Sequence, residues 1–485
     1  MGEQARGVAG VVVLAAGAGT RMKSTTSKLL HQVAGRSMLS YAISAADALT
    51  PENLVVVVGH QREQVEAHLH EIAPHVVTAV QENQNGTGDA VRCGLEPIAD
   101  LQGEVVVTYG DVPLLTGETL IELVEAHRAH GDAVTLLTAV LDDPHGYGRI
   151  VRDADGDQVA AIVEQKDTTP EQAAITEINA GIYVFEADVL RAGLASLTTD
   201  NAQGELYLTD VVKFARSQGL NVHSMVLADR WQTEGVNDRV QLSVMNREYN
   251  NRLVEKWQRA GVTIVDPATT WLHDTVDIAP DVTILPGTSL EGATSIASGA
   301  TIGPDTTLLD AEVGERATVV RSHVVLATIG ADAAVGPFAH LRPGTELGAG
   351  GKIGTFVETK NARIGEGAKA SHLAYIGDAE VGEGANIGAG VIVANYDGVT
   401  KNRTAVGAQS FVGSNSVLVA PVTVADGAFV AAGSAVTEDV GPGELAIARG
   451  QQRNIPGWVE SRRAGTPTHQ AALQASAKNE GTHLQ

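Results

Sequence analysis

The chain has 485 residues and, at roughly 150 per domain, is long enough for about three domains or for two with attachments, which excludes a single small disulfide-stapled module. Apolar residues make up 44% and charged residues 19%, so substantial cores can be buried and a mainly disordered chain is excluded. The formal net charge of −24 makes it a poor general binder of nucleic acid or anionic membrane; any anionic ligand must be held by local cations and backbone N–H groups.

The single cysteine, Cys93, permits neither an internal disulfide nor a multi-cysteine zinc site and points to a reducing cytoplasm. Aromatics are only 4% beside 53 Gly, which favours stacked short strands with cores of small and β-branched residues. The apolar run Val8 to Ala18 leads straight into Gly19-Thr20-Arg21-Met22-Lys23, so it reads as a buried strand and phosphate loop rather than a secretory h-region. Elsewhere there is no stretch of ~20 apolar residues, and no membrane span is expected.

Val8–Leu14, Leu54–Val58, Val105–Thr108, Val134–Val140 and Ile182–Phe185 read as strands separated by helix-length polar stretches such as Thr119–His130. This is the pattern of an α/β Rossmann-like domain with a mostly parallel sheet and ligands at the carboxyl ends of its strands. From Asp238 to Ala260, Leu242, Met245, Tyr249, Leu253 and Trp257 recur every three or four residues, and Gly261 follows as a stop, predicting one long connecting helix.

An internal repeat begins beyond it. Ile278, Ile284, Leu290, Ile296, Ile302 and Leu308 are six apart, and the beat returns at Ile329 to Ile353 and at Val406 to Val436. A period of six fits neither a helix nor an alternating strand; it predicts a parallel β-helix in which each hexapeptide forms one short side of a coil. Ala394 to Ala405 breaks the beat and is expected to project as a loop. After Trp458 the chain becomes Ala-, Gln- and Thr-rich and reads as a disordered or weakly helical tail. The expected domains are 1–237, a linker helix 238–261, a repeat domain 262–458 and the tail 459–485.

In the first half, Gly17 and Gly19 would let the backbone approach phosphates, and Arg21 and Lys28 would neutralise them. The loop is not a P-loop, because the Gly-Lys-Ser/Thr ending is missing, and dinucleotide spacing is absent. The run Leu14-Ala15-Ala16-Gly17-Ala18-Gly19-Thr20-Arg21-Met22 with Lys28 resembles the signature of sugar-nucleotide pyrophosphorylases. Further matches are Gln81 with Asn85-Gly86-Thr87-Gly88, Tyr109 to Leu114, Gly146 to Ile150, Glu164 to Asp167, Asn179 to Ile182, Tyr207 to Asp210 and Glu234 to Asn237. With a hexapeptide second half, they resemble the bacterial bifunctional N-acetylglucosamine-1-phosphate uridyltransferase/glucosamine-1-phosphate N-acetyltransferase family over nearly the whole chain.

That resemblance implies an α/β Rossmann-like nucleotidyltransferase domain, a connecting helix and a left-handed parallel β-helix of hexapeptide repeats. UTP would lie on Leu14, Ala15, Ala16, Gly17 and Lys28, with its uracil on Gln81, Gly86 and Thr87. Asp111 and Asn237 would hold Mg²⁺, the expected cofactor. Gly148, Glu164, Asn179 and Thr209 would grip N-acetylglucosamine 1-phosphate, and Arg21 and Lys28 would stabilise charge during transfer. Three residues here depart from the family pattern: Ser27 stands where proline is usual, and Asn85 and Asp89 where Leu and His are common.

The repeat region carries an island of functional groups where its beat is least regular. Acetyl transfer to an amine needs a base, and His372, one of 15 histidines, suits it by its ordinary pKa. Glu358 is expected to orient its ring. The resemblance implies that Arg342, Lys360 and Lys401 bind the phosphate of glucosamine 1-phosphate. Tyr375, Asn386, Asn395 and Tyr396 would position the sugar, the last two also meeting acetyl-CoA, which Ala389, Ser414, Ala432 and Arg449 would hold. Ser371 replaces the Gly or Pro usual before the histidine. Narrow coils with flat faces build a two-substrate site more easily between copies, and because related acetyltransferases are trimers with sites at subunit interfaces, the resemblance implies a homotrimer. The competing readings are a single-activity sugar-phosphate nucleotidyltransferase with a structural β-helix, and a non-catalytic assembly subunit.

Overall fold

The computed structural model describes residues 7–482, with side chains through 478; the first six residues of the expected N-terminal domain and the last three of the tail lie outside the described residues. By packing, the chain divides into two compact units, Met1–Val325 and Leu326–Gln485, a division that falls inside the repeat region.

The first unit opens on β1 (Gly10–Ala15), whose six residues are all buried. A β-branched run buried on both faces is what a central parallel strand requires. There follow β2 (Leu54–Val58), β3 (Val77–Val80), β4 (Glu104–Tyr109), β5 (Val134–Val140), β6 (Arg149–Arg152), β7 (Val159–Val163), β8 (Glu177–Glu186) and β9 (Val222–Val226). The sheet runs β9-β5-β8-β4-β1-β2-β3, with β6 and β7 attached beside β8. Along that path only β8 is antiparallel to its neighbours. The expected strand at Ile182–Phe185 is the second half of β8.

Side-chain alternation divides the core into two layers. Val12, Val55, Val57, Val105 and Val107 face one layer of helices, and Val11, Val13, Val56, Val58 and Val106 face the other. The chain goes from β1 to β2 and β3 on one side, then returns to β4 on the other. This leaves a crevice beyond the carboxyl ends of β1 and β4, where open α/β sheets collect ligands. Helices α1 (Thr87–Leu95) and α2 (Gly117–His130) follow β3 and β4.

The periodicity at Asp238–Ala260 is realised as α3 (Arg239–Arg259), started by the Asp238 carboxylate, which accepts from the backbone N–H groups of Val240 and Gln241 at 2.9 Å. Gly261, at φ 95°, ends it. Met245 packs with Val33, Met38, Tyr41, Leu114 and Val236 of the α/β domain. One turn further on, buried Asn250 donates to Thr270 O at 2.8 Å and accepts from Leu272 N at 2.9 Å, so one amide fastens the helix to the first coil of the repeat.

In this unit Ile264, Ile284, Ile302 and Val319 lie one above another in parallel register, at a spacing of 18 residues per coil where the beat is regular. In the second unit a column of the same kind is built by Val335, Ile353, Ala370, Ile387, Val412, Val430 and Ala446. The strands are only two to four residues long along these columns, and the repeats form a left-handed parallel β-helix. The tail carries α4 (Trp458–Arg462) and α5 (Pro467–Thr482), the weakly helical alternative; α5 has no buried face among its described side chains.

Asn250→Ala would leave a buried carbonyl and a buried N–H without partners, a cost of about 2–4 kcal/mol. Urea denaturation followed by intrinsic fluorescence should show an earlier midpoint for this variant.

Candidate active sites

The crevice beyond β1 is a cleft of about 280 Å³ lined by Leu14, Ala15, Ala16, Gly17, Lys28, Gln81, Gly86, Thr87 and Asp111. Sequence reasoning named all nine for the nucleotide or its metal. The lining also includes Leu29, Gln84, Ala90 and Glu205, which it missed, and Tyr109, which it named within a motif without a role. Arg21 is exposed in a short 3-10 turn, Thr20–Met22, and does not line the cleft.

Glycine is required at two points here. Gly19 has φ 57°, and a Cβ there would lie 2.7 Å from Lys28 Cβ. Gly86 has φ 111°, and a Cβ there would lie 2.6 Å from Leu206 O. The loop holding Gly86 is tied to the 206–208 segment by backbone: Leu206 N donates to Asn85 O and Gly88 N donates to Leu206 O, both at 2.8 Å. Thr87 Oγ1 accepts from Leu208 N at 3.1 Å. Asn85 therefore contributes its carbonyl, which is independent of the side chain that departs from the family pattern.

Asp89, buried at 3% exposure, faces Gln81. Gln81 Nε2 donates both to Gly86 O and to Asp89 Oδ2, each at 3.1 Å, and Arg92 pairs with the other carboxylate oxygen. With both N–H groups committed to acceptors, the Gln81 amide offers the cleft its carbonyl oxygen. Ser27 adopts φ −52°, within the range a proline would impose, and its N–H donates to Gln64 Oε1 at 2.9 Å.

A further polar contact joins Lys28 to both expected metal ligands. Its ammonium pairs with Asp111 Oδ2 and donates to Asn237 Oδ1 at 2.9 Å. Two hard oxygen donors thus converge on one cationic centre, a donor set that suits a small divalent ion.

Beside this cleft, Gly148, Glu164, Asn179 and Thr209 come together. Asn179 N donates to Gly148 O at 2.9 Å, and Thr209 Oγ1 donates to Glu164 Oε1 at 3.4 Å. Asn179 Nδ2 donates to the buried Tyr183 hydroxyl at 2.6 Å. Burial, and then Asp167, Asp210 and Glu205, push the Glu164 carboxyl up against the Thr209 hydrogen bond. Tyr109, whose hydroxyl is raised by burial and by the charges of Glu164 and Asp111, stands between the two groups.

In the second unit, Arg342, Glu358, Lys360 and Lys401 gather on one side of the coil. Arg342 Nη1 donates to Glu358 Oε1 at 2.8 Å, so Glu358 pairs with the guanidinium and not with His372, the orientation expected of it. Two extended residues along the same strand face, Lys360 meets Lys401. Contact with Lys401 and the charge of Arg342 hold its ammonium below the ordinary lysine range. His372 ends the strand Lys369–His372 with its ring exposed, following Ser371. Tyr375 lies in register with Glu358, and Asn386 with Lys369.

Asp378 and Asn361 were missed. Burial opposes ionisation of Asp378, but hydrogen bonds from Asn361 and Asn395 and the charges of Lys360 and Lys401 hold its carboxyl below its usual range. Asn361 Nδ2 donates to it at 2.7 Å, and Asn395 Nδ2 donates to its second oxygen. Asn361, Asp378 and Asn395 are each 17 residues apart, a signal visible only once the coil length is known. The projecting loop is closed by Asp397, which accepts from Val399 N and Thr400 N at 2.8 and 2.7 Å, and by the Tyr396–Lys401 bridge.

Since Ile387, Val412 and Val430 are in register, Ala389, Ser414 and Ala432 form a column two residues further along. Arg449 extends it, its Cδ 4.0 Å from the Cβ position of Gly433. A larger groove of about 1050 Å³ on this unit, lined by Glu346, Arg363 and Glu380 among others, contains none of the expected residues.

The raised Glu164 carboxyl favours the fold when protonated; that contribution is full below the unfolded pKa and lost as pH rises through the folded one. Glu164→Gln should therefore resist denaturant better than the parent at about pH 8, with the difference closing below about pH 4. Paired urea titrations at the two pH values check this.

The nucleotidyl transferase family profile matches residues 10–238. The chain is 54% identical over 478 residues to "Bifunctional protein GlmU" of Paenarthrobacter aurescens, covering 98% of this chain and 96% of that one. The same-named proteins of Streptomyces avermitilis and Nocardia farcinica are 54% identical over 474 residues, covering 98% of each chain, and 55% identical over 477, covering 97% and 96%. With near-complete coverage at this identity, the chain belongs to the bifunctional GlmU family.

Proposed function

We propose that this chain makes UDP-N-acetylglucosamine in two reactions. Acetyl-CoA acetylates glucosamine 1-phosphate in the repeat region, and the product then takes a uridylyl group from UTP in the α/β domain, releasing pyrophosphate. The observation that carries this reading is the gathering of the glycine loop, Lys28, Gln81, Gly86, Thr87 and Asp111 into one cleft beside Glu164, Asn179 and Thr209.

In the uridylyl step the Gln81 carbonyl accepts from the uracil N3–H, while cytosine would present a lone pair at the same ring position. Asp111 and Asn237 would hold Mg²⁺, which when bound neutralises and orients the phosphates. A phosphate oxygen of N-acetylglucosamine 1-phosphate attacks the α-phosphorus of UTP, and the bond to pyrophosphate breaks. Lys28 stabilises the charge in place, and Arg21 does so from its exposed turn. Gly148, Glu164, Asn179 and Thr209 hold the sugar, so the acetamide has a built receptor.

In the acetyl step the amine of glucosamine 1-phosphate attacks the thioester carbonyl of acetyl-CoA. His372 accepts the amine proton and the coenzyme A thiolate leaves. Arg342, Lys360 and Lys401 take the sugar phosphate; crowding like charges is unfavourable until an anion arrives, which supports a phosphate site. Tyr375, Asn386, Asn395 and Tyr396 position the sugar, and the column Ala389, Ser414, Ala432 with Arg449 carries coenzyme A. Glu358 positions Arg342.

The working divisions are 1–237, 238–261, 262–458 and 459–485. A homotrimer is supported by exposed stacked aromatics on the coil, Phe338 on Phe356 with ring centroids 5.4 Å apart and Phe411 on Phe429 at 4.6 Å. No helix among the described residues is long and apolar enough to cross a membrane. A cytoplasmic home is supported by the lone free thiol of Cys93.

Supplied with glucosamine 1-phosphate, acetyl-CoA, UTP and Mg²⁺, the protein should release thiol and pyrophosphate, each followed separately. His372→Ala should slow thiol release at least about 100-fold while pyrophosphate release from N-acetylglucosamine 1-phosphate and UTP is unchanged. Thiol release that survives this change would remove His372 from the reaction. Asp89→Asn frees the Gln81 amide to rotate, so KM for UTP should rise several-fold and the preference for UTP over CTP should shrink, with thiol release untouched.

A further inference from the structure

At the end of the sheet opposite the nucleotide cleft, two histidines and a carboxylate converge. Helix α2 ends with His127, Arg128 and His130 in its last turn and is stopped by Gly131 at φ 62°. The next residue, Asp132, leads into β5. Strand β9 runs parallel to β5 with His223 opposite Thr135, which brings His223 alongside Asp132.

The Asp132 side chain is completely buried, and among the described residues its ion-pair partners are both histidines. Oδ1 lies 2.6 Å from His223 Nδ1. Oδ2 accepts from the Thr135 hydroxyl at 2.7 Å and lies 3.9 Å from His130 Nδ1. The two imidazole rings are 4.8 Å apart at their centroids. One ligand atom from each of His130, Asp132 and His223 lies within 4.8 Å of the others.

We propose that His130, Asp132 and His223 form a binding site for a borderline divalent transition metal, with Zn²⁺ as the probe. Two imidazole nitrogens and one carboxylate oxygen are the donors such an ion prefers, whereas Mg²⁺ prefers the all-oxygen pair Asp111 and Asn237. Zinc–nitrogen bonds place tetrahedral ligand atoms roughly 3.3 Å apart. The hydrogen-bonded pair His223 Nδ1 and Asp132 Oδ1, at 2.6 Å, must open to that spacing as the metal takes the place of its proton, and closure also needs a swing of His130, whose side chain is 53% exposed.

The outer layer of the site has the form that orients metal-binding imidazoles. The remaining nitrogen of His223, Nε2, faces Asp157 Oδ2 at 3.7 Å, and Asp132 is held from behind by Thr135, which in turn contacts His127 Nδ1 at 2.9 Å. Binding replaces the proton between His223 and Asp132 with the metal, and water completes the coordination. The consequence is a clasp between the end of α2 and the edge strand β9, stabilising the α/β domain by mass action.

The test is calorimetric titration of the metal-stripped full chain with Zn²⁺ in excess Mg²⁺, paired with thermal unfolding. The parent should bind one Zn²⁺ per chain at this site and gain Tm on binding. His130→Ala should keep the parent's zinc-free Tm but bind at least about tenfold more weakly and gain no stability. His75→Ala, which changes an exposed histidine paired with Asp47 elsewhere, should bind as the parent does. Absence of zinc binding by the parent, or equal binding by His130→Ala, overturns the proposal.

Discussion

The ammonium of Lys28 sits where three distant stretches of chain must meet. It follows the glycine loop, pairs with Asp111 beyond β4, and reaches Asn237 at the threshold of α3, 209 residues away in sequence. The Asp111 carboxylate and the Asn237 carbonyl thus turn two oxygen atoms toward one ammonium. In a chain with net charge −24, any anionic ligand must be met by a local cation of this kind. The sheet order, with β1 between β2 and β4, opens the crevice that this contact occupies.

The second unit gathers its cations on the outside of the coil rather than at strand ends of an open sheet. Its core is a ladder of single aliphatic side chains, so there is no interior in which to build a ligand cavity. Functional groups must stand on outer faces and corners. The corner residues Asn361 and Asp378 adopt positive φ, which short polar side chains tolerate, and their side chains bridge successive coils. Asp378 then offsets part of the positive charge of Lys360 and Lys401 while anchoring Asn395 at the root of the projecting loop. Breaks in the beat are where the coil can hold something other than its own core.

Legibility in the sequence followed how local each contact is. Buried strands such as Leu54–Val58 and the six-residue beat were readable because their pattern lies within a few neighbouring residues. The motif residues of the cleft beyond β1 were readable through resemblance, and nearly all line one cavity. Pairings set by register were not. Arg342 finds Glu358 because coils of the repeat place them side by side, and Asn361 finds Asp378 across a coil of 17 residues, not 18. Tyr109 was named only as part of a motif and given no role, and only the fold shows it facing both Glu164 and Asp111. His130 and His223 are remote in sequence and join only because β9 pairs with β5.

The departures from the family pattern show how a site keeps its geometry when its residues change. Ser27 lacks the ring that would fix φ, yet occupies the same φ and adds a hydrogen bond to Gln64 that proline has no N–H to make. Asp89 brings a negative charge to a buried position, which would be costly alone; Arg92 pairs with it one helical turn away, and Gln81 donates to its other oxygen. The carboxylate accepts only, so it leaves the Gln81 amide one orientation, whereas an imidazole could serve as donor or acceptor. The substitution at Asp89 therefore fixes the orientation of the Gln81 amide in the cleft, and its cost is borne by an arginine outside the cleft.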